Sequence, residues 1–80
     1  MTEKILTAKD LKRGMKARVV TIDENEDVCP RLFELGLFPG TEFKVVKIAP
    51  LGDPIEIDLH GYKLCIRRSE AGCLRLVEIA

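Results

Sequence analysis

The sequence predicts a small all-β domain with short helices, in which about five strands curl into a partly open barrel and one helix is inserted after the first strand. Three observations carry that expectation. The chain has 80 residues, 46% of them hydrophobic, with three Phe, one Tyr and no Trp. Its core must therefore be built mostly from Ile, Leu and Val, which suit strands. Short apolar runs recur along the chain and are separated by Gly- and Pro-bearing turns. Strands so short cannot make two good sheets, and open edges invite aggregation, so curling is the natural solution. All of residues 1–80 are expected in a single domain. A chain of this size rarely draws more than about 3–5 kcal/mol of net stability from its core.

The elements follow in order. Leu6-Thr7-Ala8-Lys9-Asp10-Leu11 reads as a helix start. Thr7 can cap, Asp10 stands three residues later, and Leu6 can reach Leu11 as a staple. Gly14 is expected to end this helix with a left-handed cap. Met15 to Ile22 reads as a strand. Its alternation breaks at Val19-Val20, so either both faces are covered there or a bulge intervenes.

Asp27 opens the predicted second helix, with Pro30 in the first turn, where a missing N–H costs nothing. Val28, Leu32 and Leu35 keep the i, i+4, i+7 spacing of a buried stripe, and Gly36 is the stop. Leu37 and Phe38 then stand between that stop and the turn formers Pro39-Gly40. A connection this short has little room to bury both. Thr41 to Ala49 is the next strand, with Phe43 and Val45 on one face. Pro50-Leu51-Gly52-Asp53-Pro54 is a loop rich in turn formers.

Ile55, Ile57 and Leu59 alternate with Glu56 and Asp58, the mark of a half-buried strand. His60-Gly61 is a two-residue hairpin turn, since both residue types accept positive φ. Tyr62, Leu64 and Ile66 form the returning face. Ser69 is placed to cap one helical turn through Gly72, and Leu74 to Ile79 is the last strand.

Charge argues against several function classes. Thirteen basic residues balance thirteen acidic ones, with a pI near 6.6. Residues 1–18 carry six basic and two acidic residues, residues 19–42 one and six, and the remainder six and five. A nucleic-acid binder shows a basic stripe and a high pI, so no nucleic-acid partner is expected. The basic N-terminal stretch is read as a solvated face before a contact for an acidic partner. No run of about 18 apolar residues exists, and Met1-Thr2-Glu3-Lys4 lacks the apolar core of a signal peptide. Three cysteines, an odd count, fit a reduced, cytoplasmic protein.

Metal and catalytic signals are weak. Asp23, Asn25, Asp27 and Glu34 partly fit a calcium loop, but Val28 stands where that loop needs Gly. Cys29, Cys65 and Cys73 match no common zinc spacing. Cys29 is expected beside Phe33, and Cys65 partly exposed. A site joining His60 to Cys65 or an acidic neighbour is weighed and set below the bland reading of a turn histidine and inert thiols. Cysteine catalysis needs a histidine held beside the thiol, and no phosphate-binding Gly-rich loop occurs. No enzyme activity, metal site or cofactor is expected.

One resemblance spans nearly the whole chain. Leu11-(x)2-Gly14, then Arg31-Leu32-(x)2-Leu35-Gly36-Leu37-(x)-Pro39-Gly40, then Ala49-Pro50-Leu51-Gly52-Asp53-Pro54, then Leu64-(x)-Ile66-Arg67 are similar in type and order to the ferrous iron transport protein A (FeoA) family. The resemblance implies an SH3-like small barrel with an inserted helix. It implies a small cytosolic accessory protein that accompanies a large membrane GTPase importing ferrous iron and acts on its cytoplasmic domains. The same domain type resembles the C-terminal module of iron- and manganese-dependent repressors, yet no helix-turn-helix pattern precedes the barrel here.

The expected function is thus docking on a membrane ferrous iron transporter. The partner-binding candidates are Leu37, Phe38, Leu51 and Arg67. Leu37 is also read as the residue that finishes the core plug, whereas Phe38 is harder to bury. Arg67 and Arg68 are read as solvated, and with Tyr62 they could recognise an acidic segment. The alternatives are a stand-alone SH3-like adaptor and a transition-metal-responsive module. The few aromatics count against an SH3 peptide groove, which is lined by them. Weak self-association through the apolar edge is a further expectation.

Overall fold

The computed structural model describes residues 4–22, 32 and 34–79. Five strands, β1 (Lys16–Ile22), β2 (Glu42–Ile48), β3 (Ile55–Leu59), β4 (Tyr62–Ile66) and β5 (Leu74–Ile79), form one antiparallel sheet. Its order is β4-β3-β2-β1-β5, so β4 and β5 are the edges and the sheet is not closed by strand pairing. The last strand matches the expected span, and the others agree to within a residue at each end.

Alternation decides which faces are covered. Ile55, Ile57 and Leu59 of β3 are buried, with Glu56 and Asp58 half-buried between them. Phe43 and Val45 of β2, Ala17 and Val19 of β1, and Leu74 and Leu76 of β5 join them in a single aliphatic core. The broken alternation at Val19-Val20 is a bulge. The β1–β5 register shifts between Val19 and Thr21, and Val20 is turned outward. A second shift lies between Val45 and Lys47 in the β2–β3 pairing.

The β3–β4 hairpin turns on His60 (φ 50°) and Gly61 (φ 99°), with Leu59 paired to Tyr62 across it. Positive φ at both central residues is the type I′ geometry that matches strand twist. The Asp58 carboxylate accepts the Gly61 N–H at 2.9 Å and fixes the turn.

Several local expectations need correction. The first helix is a single 3-10 turn, Ala8–Asp10, which ends at Leu11 in an extended conformation. Gly14 does not cap it but lies in a separate turn closed by the Met15 N–H to the Lys12 carbonyl at 3.0 Å. The chain from Leu11 must immediately feed β1, and a longer helix would overrun that start. The turn after β4 begins at Arg67, not Ser69: the Glu70 carboxylate accepts the Arg67 N–H at 3.1 Å, and the Ala71 N–H reaches the Arg67 carbonyl. Glu70 can reach back three residues to an unsatisfied N–H, which is the carboxylate half of a capping box. Tyr62 does not lie on the buried face, since it is 53% exposed.

The predicted second helix is visible only at its end. Residues Asp27 to Arg31 and Phe33 lie outside the described residues, as do Cys29 and the calcium-like positions Asp23, Asn25 and Asp27. Leu32 and Glu34 are helical. The Leu37 N–H donates to the Leu32 carbonyl at 2.9 Å, across Gly36 at φ 95°. That bond, six residues to one over a left-handed glycine, is a Schellman stop, and its usual apolar pair is the buried Leu32 and Leu37.

Candidate docking surfaces

The sheet has two ends, and the candidate residues divide between them. At one end stands the Schellman stop. Phe38 follows it and opens a turn closed by the Thr41 N–H to the Phe38 carbonyl at 3.0 Å. That turn is tied to β1 by two bonds, Gly40 N–H to the Val19 carbonyl and Val19 N–H to the Thr41 carbonyl, each 2.8 Å. Thr41 Oγ1 donates to the Gly36 carbonyl at 3.1 Å. Across the sheet, Tyr62 at the start of β4 donates its hydroxyl to the Leu35 carbonyl at 2.8 Å. An end carbonyl of the helix, which helix geometry leaves without a partner, is thereby satisfied by a side chain 27 residues away.

Phe38 is 48% exposed on this braced segment, beside Pro39 and Gly40, which are exposed too. Leu37 goes the other way. It is fully buried, so it finishes the core and presents nothing to a partner. The two apolar residues that the short connection could not both bury are divided between core and surface.

Leu51 and Arg67 lie at the opposite end. Leu51 tops the β2–β3 loop and is 97% exposed. Its turn is closed by the Gly52 N–H to the Ala49 carbonyl at 2.7 Å. Arg67 follows β4, whose last residue Ile66 pairs with Ile55 at the start of β3. Phe38 and Leu51 are thus separated by the length of β2, about 20 Å of strand. They do not form one apolar patch.

Arg68 was expected to be solvated, and the structure places it otherwise. Its Nε donates to the Gly52 carbonyl at 2.6 Å, Nη1 to Ala8 at 2.7 Å and Nη2 to Leu11 at 3.2 Å. Its own N–H reaches Asp53 Oδ1 at 2.7 Å. The planar fork of guanidinium can hold several carbonyls in fixed directions. Leu6 adds to this lashing: two backbone bonds of 2.7 and 2.8 Å join it to Leu76 on the outer edge of β5. One side chain just beyond edge strand β4 is therefore fastened to the segment that covers edge strand β5. No motif or periodicity in the sequence signals this role.

Among the described residues the reactive side chains do not converge. Cys73 is buried, and Cys65 is exposed with Sγ 4.0 Å from Glu56 Oε1. Cys65 pairs with Glu56 three rungs from the Leu59–Tyr62 pair that closes the His60 turn, about 10 Å of strand away. Among the described residues no three His, Cys, Asp or Glu side chains are grouped to hold a metal ion. Among them, too, no helix is long and apolar enough to cross a membrane.

Comparison with known proteins decides the family. The family model for the FeoA domain matches residues 6–77. The chain belongs to the FeoA family. A FeoA-like protein from Clostridium acetobutylicum superposes with a TM-score of 0.89 at 30% identity, over 100% of this chain and 92% of that one. FeoA from Chlorobium tepidum is 39% identical over 94% of this chain and 71% of that one, with a TM-score of 0.78. FeoA from Stenotrophomonas maltophilia, solved with zinc, is 27% identical over 89% and 88% of the two chains, with a TM-score of 0.72. That protein is described as a prokaryotic SH3 domain and a candidate ferrous iron transport activating factor. The SH3-like, partly open β architecture follows for this family member.

Proposed function

We propose that this FeoA protein is a cytoplasmic accessory factor of ferrous iron uptake that docks on the cytoplasmic GTP-binding domain of a membrane iron transporter. The observation that carries the reading is Phe38. It is a half-exposed aromatic in a FeoA domain, held on a backbone braced by the Leu32–Leu37 stop and the Tyr62–Leu35 bond. Aromatics on rigid supports make efficient anchors, because little conformational entropy is lost when they are covered. Leu37, next to Phe38 in sequence, is buried in the core. Leu51 and Arg67, at the other end of β2, form a second and separate contact. Docking changes the transporter only through unequal affinity for its conformations.

The test is a titration of the transporter's isolated cytoplasmic GTP-binding domain with the wild-type chain and with Phe38→Ala. Saturable binding weakened by the substitution supports the reading. Absence of binding, with GTP hydrolysis unchanged over the same range, removes it.

A further inference from the structure

The two edges of the sheet are treated differently. At β5, Leu6 makes two backbone bonds to Leu76 and covers the outer side. Among the described residues nothing pairs with the outer side of β4, although Arg68 anchors the chain just beyond it. β4 is also regular, since its five residues pair with β3 rung by rung with no bulge. The hairpin turns on two residues, so Leu59 and Tyr62 exchange both backbone bonds, and Leu64 and Ile66 face β3 in the same way. The N–H and C=O groups of Lys63 and Cys65 therefore point away from the sheet and offer a template for a further strand. Side chains alternate along this edge. Half-exposed Tyr62, partly buried Leu64 and buried Ile66 lie on the core face, and exposed Lys63 and Cys65 on the outer face.

We propose that the outer edge of β4 pairs with the same edge of a second copy of this chain, antiparallel about a twofold axis at Leu64. Bonded rungs form only between residues whose backbone groups point outward. Three registers then place the axis near the middle of the strand. An axis at Lys63 sets that lysine against itself, and an axis at Cys65 sets Lys63 against the second copy's Arg67. Like charges directly opposite destabilise a ladder. An axis at Leu64 sets Lys63 against the second copy's Cys65, twice over by symmetry. In that register Leu64 meets its mate across the axis and Tyr62 stands opposite Ile66, so the core face gains an apolar seam and the burial of Leu64 is completed. On the outer face Lys44, Asp58 and Lys63 already form a row of alternating charge, and the next row is Lys47, Glu56 and Cys65. The second copy's Lys63 extends this next row. It arrives beside a Glu56 carboxylate whose neighbour on that side is the Cys65 thiol, 4.0 Å from Oε1. Pairing also closes the assembly, because the joined sheet ends in two β5 edges, each covered by its own Leu6. Five rungs make a small interface, so the association is weak.

The inference goes beyond the docking reading and does not rest on it. The seam contains neither Phe38 nor Leu51, and the test needs no transporter, so failure of either leaves the other standing. The full chain, labelled with nitrogen-15, is followed from micromolar to millimolar concentration with a reductant present, so that no disulfide joins two copies. The expected result is saturable shifts centred on the amides of Lys63 to Cys65, with a Kd on the order of a millimolar or tighter. A mixture of carbon-13-labelled and unlabelled chains should show an intermolecular contact between the Leu64 α protons. Cys65→Lys, at an exposed position, sets two pairs of like charges opposite each other and weakens association by about fivefold. The double variant Lys63→Glu with Cys65→Lys restores it, because opposite charges then face each other in this register and like charges in the other two. Shifts centred elsewhere, unchanged association in Cys65→Lys, or no rescue by the double variant would each overturn the proposal. A chain that stays monomeric at every concentration would overturn it too, and leave the edge to a foreign strand.

Discussion

Arg68 Nη1 lies 2.7 Å from the carbonyl oxygen of Ala8, sixty residues earlier in the chain. With its bonds to Leu11 and Gly52, this contact joins the exit of one sheet edge to the segment that guards the other. An open five-stranded sheet of this size leaves its two edges to be managed. Here a half-buried guanidinium manages them by holding three backbone carbonyls from two loops.

Arg68→Ala should therefore cost more than an ordinary surface change. Hydrogen bonds to a charged donor contribute about 1.5–3 kcal/mol each when removal leaves a partner unsatisfied. Water can reach part of this site, so a total loss of about 2–4 kcal/mol is expected. Thermal unfolding reports it as a fall in Tm of at least about 8 °C. Arg68→Lys should recover only part of the loss, since an ammonium lacks the planar fork. A Tm within a degree or two of the wild type in Arg68→Ala would show that the lashing is not structural.

Much of the fold is legible in the sequence where the cause is local. The Ile55-Ile57-Leu59 alternation, the His60-Gly61 turn and the Gly36 stop each follow from neighbouring residues, and each stands where expected. Arg68 was missed because its partners are 16, 57 and 60 residues away and are carbonyls, which every residue type provides. The same limit applies to Leu51 and Phe38. Their separation depends on β2 running between them, and only the assembled register shows which end each occupies. Leu37 and Phe38 are adjacent in sequence, and it is the backbone path after the Schellman stop that sends one inward and the other out.

Gly36 and Tyr62 should be energetically coupled. A Cβ at residue 36 would stand 3.1 Å from the Tyr62 hydroxyl oxygen, on a backbone at φ 95°. Gly36→Ala is expected to cost about 1–2 kcal/mol from the left-handed conformation alone, plus crowding of the Tyr62 hydroxyl. Tyr62→Phe loses one hydrogen bond, worth about 1 kcal/mol. The double variant should cost less than the sum of the single ones, because removing the hydroxyl removes the clash. Denaturant melts of the four proteins complete the cycle, and strict additivity would refute the coupling.

Asp10 predicts a pH effect of known sign. Its carboxylate accepts the Thr7 N–H at 2.9 Å, and this bond foremost, with smaller help from the Thr7 hydroxyl, Lys4 and Lys12, holds its pKa below the ordinary aspartate value. The folded state thus favours the ionised form. The associated stability is fully present above the unfolded-state pKa and fades as pH falls through the lower folded value. Melting the wild type and Asp10→Asn from neutral pH down to strongly acidic pH should show a difference that shrinks on acidification. A difference that stays constant, or grows toward low pH, would contradict the assigned bond.

Leu51 offers the opposite extreme. At 97% exposure it contributes almost nothing to the core, so Leu51→Ser should leave stability within about 0.5 kcal/mol of the wild type. If Leu51 forms the second contact with the transporter, the same variant weakens binding while its melting curve is unchanged. A large fall in Tm would mean that the β2–β3 loop packs more closely than its exposure indicates.

The central claim is that Phe38 is the anchor by which this FeoA protein grips the transporter's GTP-binding domain. The most direct measurement is calorimetric titration of that domain with wild-type and Phe38→Ala protein, both verified as folded by their amide spectra. Loss of a buried aromatic anchor is worth about 2 kcal/mol or more, so the account predicts at least about a thirtyfold rise in Kd. An equal Kd for the two proteins would contradict it.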